Sequence, residues 1–428
     1  MILAIRGIKW EEFLLFLGCS ITKTNFPMKY LLWPMILALF LGCGPKSPEL
    51  PTGNWRGIID VQGQEMPFNF RLEKNEESYL VYLINASEEI ELDEVYREGD
   101  SLIMNMHIFD SDIRARISEE GLSGFWQKKY IDGYRLSFRA TAGEEERFYG
   151  ESGDISFDGR WRVNFSDNDS IYSVGIFNQS ETGRITGTFL NAKGDYRSLE
   201  GKVLADTLHL STFDGSHAYL FKAHYLNEST LDGKFFDGLN IFKTWRAIKD
   251  ENAQLPDANQ LTFLKEGYDS IYFSFPSLEG EPVSLSDSEF RNKVVILQLF
   301  GSWCPNCMDE SKFLSKWYRE NKQEDLAILG LAYESKEDFD YASTRVSNMK
   351  RKLGIEYDFV IAGVNDKLKA AETLPMLNHV MAFPTMIFID KKGTVRKIHT
   401  GFSGPGTGEY YDQFVQEFDN FVKELLEE

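Results

Sequence analysis

The chain has 428 residues, 43% of them hydrophobic and 26% charged, enough for two or three domains with their own cores and too apolar for a disordered polypeptide. Acidic residues outnumber basic ones 66 to 46, giving a formal net charge of −20. With no basic cluster to set against that excess, the surface repels phosphate backbones and anionic membranes, and nucleic acid is excluded as a partner.

Residues 1–42 read as a signal rather than as fold. From Met28 the chain runs MKYLLWPMILALFLGCG, with one Lys, an apolar run from Tyr30 to Leu41, then Gly42-Cys43-Gly44. This is the layout of a secretory signal, and the run is short for a membrane span. Phe40-Leu41-Gly42-Cys43 resembles the lipobox of bacterial lipoproteins, although Leu41 stands where a small residue is usual. The resemblance implies that Cys43 receives lipid and becomes the first residue of an envelope protein. An uncleaved anchor and a plain buried cysteine are the alternatives. Phe16-Leu17-Gly18-Cys19 echoes the motif, but Glu11 and Glu12 interrupt its apolar run. Translation is therefore expected to start at Met28, which leaves Cys304 and Cys307 as the only thiols besides the lipidated Cys43.

Residues 43–50 form a Pro-containing tether. Short alternating runs follow, such as Phe68 to Leu72 and Tyr79 to Ile84, whose period-two pattern between turn residues predicts antiparallel strands. Gly53-Asn54-Trp55 recurs as Gly159-Arg160-Trp161 and Asp100-Ser101-Leu102 as Asp206-Thr207-Leu208, each 106 residues on. Phe138-Arg139-Ala140 recurs as Trp245-Arg246-Ala247, 107 on. Ordered anchors at one spacing predict a duplicated β region, with copies over 51–148 and 154–248. Each has room for some seven or eight strands in a small barrel or sandwich. The Gly-x-Trp also resembles the opening of lipocalin-like barrels. Trp55 and Trp161 are expected to close cores; the other reading is that one copy binds a ligand or partner.

Polar residues 249–262 form a linker, and the pattern then changes. Val294 to Phe300 is a continuous apolar strand suited to a buried sheet. A helix is expected from Cys304 to Asn321, a strand at Ala327 to Ala332 and a helix from about Glu337 to Lys352. Strands near Asp358 to Ile361 and Met386 to Asp390 and a last helix from Tyr410 to Glu427 complete an α/β domain over 263–428.

Cys304 and Cys307 lie where the first of these strands gives way to a helix. N–H groups at a helix start stabilise a thiolate, and a second thiol one turn on can resolve a mixed disulfide. A zinc ribbon would need another cysteine pair or spaced histidines, which the sequence lacks, so no metal and no cofactor is expected. Two structural core cysteines are the remaining alternative, disfavoured by the flanking Trp303 and Pro305.

FPSLEGEPVSLSD (Phe275 to Asp287), then WCPNC (Trp303 to Cys307), then FPTMIFIDKKG (Phe383 to Gly393) resemble the thioredoxin superfamily, specifically the TlpA/ResA-like exported thiol-disulfide oxidoreductases. The likeness covers about residues 265–428. It implies a redox-active Cys304–Cys307 disulfide, a cis Pro384 beside it, and Trp303 and Phe383 at the substrate. The alternative for Pro384 is an ordinary trans proline opening an edge strand. Glu310 falls where ResA-like proteins carry a buried functional glutamate; otherwise it is an early-helix acid favoured by the dipole. Gln298 departs from thioredoxin, which has a buried Asp there, so proton handling must rest on Glu310 or water. The expected function is reduction of protein disulfides, with disulfide-containing clients, an envelope electron donor and membrane lipid as partners. Two rivals remain. A redoxin-type peroxidase usually needs a Thr where Gly301 stands, and a binding lipoprotein would use the disulfide only structurally.

Overall fold

The structure is a computed structural model and describes residues 49–75, 78–166 and 171–428. The expected signal, the Met28 start and Cys43 lie outside the described residues. Among those described, no helix is long and apolar enough to cross a membrane.

The first β region holds β1 (Gly53–Val61), β2 (Gln64–Lys74), β3 (Tyr79–Asn85), β4 (Glu88–Glu91), β5 (Glu94–Glu98), β6 (Ser101–Met106), β7 (Ser111–Ser118), β8 (Gly121–Lys128) and β9 (Arg135–Ala142). They form an antiparallel sheet in the order β4-β3-β2-β1-β9-β8-β7-β6-β5. Chain neighbours β4 and β5 thus stand at opposite ends of the sheet with only Leu92 and Asp93 between them. Two residues reach about 7 Å, so the sheet must curl until its ends meet. Leu92 N–H donates to Val81 O at 2.9 Å and Asp93 N–H to Asn105 O at 3.2 Å across that seam. Alternate residues point inward, as in β9, where Leu136, Phe138 and Ala140 are buried.

The second β region holds β10 (Gly159–Phe165), β11 (Ser173–Gln179), β12 (Arg184–Asn191), β13 (Gly194–Asp195), β14 (Leu199–Leu204), β15 (Thr207–Phe213), β16 (Ala218–Asn227), β17 (Thr230–Asp237) and β18 (Ile241–Lys249). Its order is β11-β10-β18-β17-β16-β15-β14-β12-β13, and β11 also pairs with β12, which closes a barrel. Phe165, Phe189, Phe221, Phe235 and Trp245 pack ring against ring in its core. Eight strands enclose a space that side chains can fill. The sequence leads to seven or eight strands per region; the ninth in each is a short piece, β4 or β13.

The rest of the chain holds β19 (Phe275–Pro276), β20 (Pro282–Val283), β21 (Val294–Phe300), α1 (Pro305–Asn321), β22 (Leu326–Glu334), α2 (Phe339–Leu353), β23 (Asp358–Val364), α3 (Lys367–Thr373), β24 (Thr385–Ile389), β25 (Val395–Thr400) and α4 (Glu409–Glu427). The main sheet runs β23-β22-β21-β24-β25, parallel between β21, β22 and β23 and antiparallel at β24 and β25. This is a thioredoxin-like domain. Every residue of β21 is buried, as the central position requires. Besides the two-residue β19 and β20, α3 and β25 lack a sequence signal: α3 buries only Ala370, and β25 carries Arg396, Lys397 and His399 on a half-exposed strand.

The three parts are packed together. Phe213, from β15, sits against Phe68 and Trp126 of the first sheet, ring centres 4.7 and 5.2 Å away. Buried Arg147 donates to Asn69 Oδ1 at 3.0 Å and to Ser211 O at 2.9 Å. Met308 of α1 is buried in the first sheet's core, and Arg345 of α2 donates to Ile108 O. Leu50, read as tether in the sequence, is also buried in that core.

Candidate active site

The site begins with the capping of α1. Cys304 is its N-cap and Pro305 its first residue, a position that needs no donor. Cys304 Sγ accepts the Cys307 N–H at 3.3 Å, so negative charge developing on that sulfur meets a backbone donor. From the other side the thiol faces Phe383 O at 3.6 Å. The Phe383–Pro384 peptide is cis, and the contact with Phe383 O sets the proline loop beside the cysteine pair, some eighty residues apart in sequence. Trp303 Nε1 donates to Tyr333 O at 2.8 Å, and its ring meets Phe383 edge-on at 6.1 Å. A Cβ on Gly301 would lie 2.1 Å from the Trp303 indole nitrogen, so the Thr of a redoxin-type peroxidase has no room with Trp303 as placed.

Below the sulfurs lies a buried polar network. Glu310 is fully buried, and its Oε2 accepts from Gln298 Nε2 at 2.8 Å. Its Oε1 has no partner among the described residues. Gln298 also exchanges hydrogen bonds with Ser311 Oγ and accepts from Tyr357 OH at 3.2 Å. Burial raises the Glu310 carboxyl well above the ordinary range; the Gln298 hydrogen bond opposes the rise and Cys304 adds to it. Burial likewise pushes the Cys307 thiol well up, with the Cys304 hydrogen bond and charge and then Glu310 acting in the same direction. These are the environments that couple two titrations. Among the described residues, no group of three His, Cys, Asp or Glu side chains is arranged to hold a metal ion.

The structure thus brings together Cys304, Cys307, Glu310, Trp303, Phe383 and Pro384; Cys43 is outside the described residues. Sequence reasoning missed Glu334, which accepts from Ser302 N at 2.8 Å and Ser302 Oγ at 2.9 Å and fixes the turn before Trp303. Burial raises its carboxyl too. A Glu ending an apolar strand was the available signal. Also missed was the second β region's part in the site. Asn306 Nδ2 donates to Asp195 O at 3.2 Å, and Gly404 N–H donates to Asp195 Oδ2 at 2.7 Å. Buried Arg197 pairs with Asp309 of α1, with Glu88 at 2.6 Å, and stands 3.7 Å from Asp214. Nothing local in the sequence marks these contacts.

Residues 267–398 match the model of the AhpC/TSA family. The thioredoxin-like protein YneN of Bacillus subtilis (strain 168) is 28% identical over 138 residues, 32% of this chain and 73% of its own. The thiol-disulfide oxidoreductase ResA of Halalkalibacterium halodurans is 28% identical over 159 residues, 37% of this chain and 78% of its own. A solved thiol-disulfide oxidoreductase from Bacteroides fragilis NCTC 9343 superposes with a TM-score of 0.26 at 24% identity, covering 34% of this chain and 99% of its own. Over this C-terminal region the chain is thus similar to ResA-like thiol-disulfide oxidoreductases and carries the match to the AhpC/TSA family model.

Proposed function

We propose that this enzyme reduces protein disulfides by dithiol–disulfide exchange through Cys304 and Cys307. The observation that carries the reading is the Cys304 sulfur, poised at a helix start between the Cys307 N–H and the Phe383 carbonyl. Cys304 attacks one sulfur of a client disulfide, the client S–S bond breaks, and a mixed disulfide forms. Cys307 then attacks Cys304 Sγ, freeing the client as a dithiol and leaving a Cys304–Cys307 disulfide. Two electrons and two protons pass to the client. Glu310, three residues after Cys307 and buried beside it, takes the Cys307 proton as that thiol becomes a nucleophile. An envelope electron donor then restores the dithiol. Trp303, Phe383 and Pro384 line the face that receives the client.

The export signal and the lipobox at Cys43 support a lipid-anchored protein of the bacterial cell envelope, where such clients occur. The domains follow as a tether over 43–50, β copies over 51–148 and 154–248, a linker, and a thioredoxin-like domain over 263–428. Matched local geometry supports duplication. Trp55 Nε1 donates to Pro51 O and Trp161 Nε1 to Phe157 O, each four residues back. Gly53 and Gly159 share φ near +107° and +102°, a region that favours glycine. Both sheets also pair their first strand with their last main strand.

The test is insulin reduction driven by dithiothreitol, with trapping by Cys307→Ser. Without the resolving thiol, Cys304 should hold clients as stalled mixed disulfides. An inert wild type, or a variant that captures no covalent partner from an oxidising compartment, would reject the reading; peroxide consumption without insulin reduction would favour a peroxidase.

A further inference from the structure

The cleft in front of Cys304, about 230 Å³, is walled on one side by Trp303, Cys304 and Phe383 and on the other by the second β region, including Lys193, Arg197, His217 and Tyr219. His217 is the imidazole in that wall, and its position is fixed with unusual completeness. It ends the turn between β15 and β16. Asp214 Oδ1 accepts from Ser216 N–H at 2.8 Å and His217 N–H at 2.6 Å, and Asp214 Oδ2 faces His217 Nδ1 at 3.1 Å. Ser111 Oγ of the first sheet donates to Gly215 O at 2.6 Å and locks the same turn from behind. The ring stacks on Tyr219 with centres 4.7 Å apart.

Two features place this imidazole at the chemistry. Ser216, the residue before His217, donates its hydroxyl to the carbonyl of Trp303, the residue before Cys304, at 3.4 Å. The turn and the cysteine loop are therefore joined one residue from each reactive group. Asp214 is buried, and although burial alone would raise its carboxyl, His217 and Arg197 hold it at about 2. An ionised carboxylate can only accept, so Nδ1 carries a hydrogen and Nε2 is the nitrogen left for the cleft. No hydrogen bond is found for Nε2 among the described residues.

We propose that His217 is a further catalytic residue of this site, contributed by the β region, which moves the proton between Cys304 and the departing sulfur of the client. The proposal rests on the Cys304/Cys307 reading above. In the first half-reaction Nε2 takes the proton of the Cys304 thiol, and the thiolate attacks the client disulfide. The new Cys304–client S–S bond forms as the client S–S bond breaks, and the leaving sulfur takes the proton from Nε2. Thiol plus disulfide gives mixed disulfide plus thiol, with His217 returned to its starting state. The charged and titratable groups around the ring are Asp214 on its own turn, Asp237 on β17, Tyr219 on β16, and Arg197 and Lys193 from the β12–β14 segment. Lys128 on β8 acts on both Asp214 and Asp237. Asp214, Asp237 and Arg197 are held in ion pairs or hydrogen bonds, and the Lys128 ammonium lies over the Trp126 and Tyr134 rings, so the imidazole edge at Nε2 is what His217 offers the cleft.

The experiment uses residues 49–428, which leave out the Cys43 thiol, in reduced form, as wild type, His217→Phe and His217→Gln. The first variant keeps the stack on Tyr219 and the second keeps a polar donor, so one covers for the other if melting shows a loss of fold. Single-turnover mixing with oxidised insulin is followed by tryptophan fluorescence between pH 5 and 9, and Cys304 alkylation by iodoacetamide is timed alongside. General acid–base help of this kind is worth about 10²-fold or more. Folded variants should form the mixed disulfide more slowly at neutral pH, by about a hundredfold or more, alkylate more slowly, and show a changed pH profile. A wild type that reacts normally and variants within twofold of it, with the same pH profile, would overturn the role of His217 while sparing Cys304 and Cys307. A wild type inert toward insulin would overturn both.

Discussion

Replacing Glu310 by Gln should make this protein more stable and slower at the same time. The carboxyl is fully buried, receives one side-chain hydrogen bond, at 2.8 Å from Gln298, and has an unpaired Oε1. One donor does not replace the hydration that a carboxylate loses, so its folded pKa lies above the unfolded value of about 4.3. Below about pH 4.3 both states hold the proton and the group costs nothing. Above it the unfolded chain ionises freely while the folded one must keep the proton or bury the charge, so stability is lost as pH rises towards the folded pKa. The loss accrues at about 1.4 kcal/mol per pH unit until that pKa is passed. Glu310→Gln keeps the shape and the Gln298 contact but escapes this loss. Urea unfolding of both proteins at pH 4 to 8 should give stability curves that diverge with pH, the variant ahead. Insulin reduction should meanwhile fall by about 10²-fold, the scale of general acid–base catalysis. Parallel stability curves across that range would refute the raised carboxyl. Diverging curves with superimposable pH–rate profiles would leave Glu310 buried but idle.

Arg197→Met should cost about 3–5 kcal/mol at neutral pH, because it removes the guanidinium that pairs buried Asp309 and half-buried Glu88 and lies beside Asp214 and Asp195. The deficit should shrink as acid protonates them, read by urea unfolding at pH 7 and pH 4. Deleting the β regions to leave 263–428 should expose Met308 and remove the partner of Asp309; the fragment should dimerise or bind a hydrophobic dye, and a monomeric, dye-negative fragment would contradict the packing argument. In a host that processes lipoproteins, mass spectrometry should find a mature chain beginning at acylated Cys43, each buried CH₂ adding about 0.8 kcal/mol to membrane binding. An intact Met1–Gly42 segment would overturn the anchor.

What the sequence made legible was whatever repeats over a few residues or is carried by a short motif. The run Val294 to Phe300 is apolar throughout, and it is the fully buried β21. Cys304 before Pro305 signals a helix start, and α1 begins there. The β pattern came through as alternation, but closure did not, since the β11–β12 pairing joins strands whose own sequences look like any other. α3 and β25 escaped for the opposite reason, having too few buried positions to leave a period. Glu310 could be singled out only through a resemblance; its depth depends on Gln298, Ser311 and Tyr357, which come from a strand, the same helix and a distant loop.

The dipeptide between the cysteines shows how such a limit distorts inference. Pro305-Asn306 carries no charge, and taken alone it speaks only to redox poise, where about 30 mV equals 1.4 kcal/mol and unseen packing can outweigh it. In the fold, Asn306 has a different task. Its amide donates to Asp195 O, and Gly194, with φ of +141°, lies so close that a Cβ there would stand 2.1 Å from Asn306 Nδ2. The β region therefore grips the redox loop at its tip, through a glycine whose missing side chain leaves room for the Asn306 amide. A charged residue at 306 would be placed against a carbonyl and a half-buried aspartate already bound to Gly404 N–H. Docking thus constrains this dipeptide before tuning does, and exchanging it for that of another oxidoreductase would disturb the wall of the cleft as well as the potential of the disulfide.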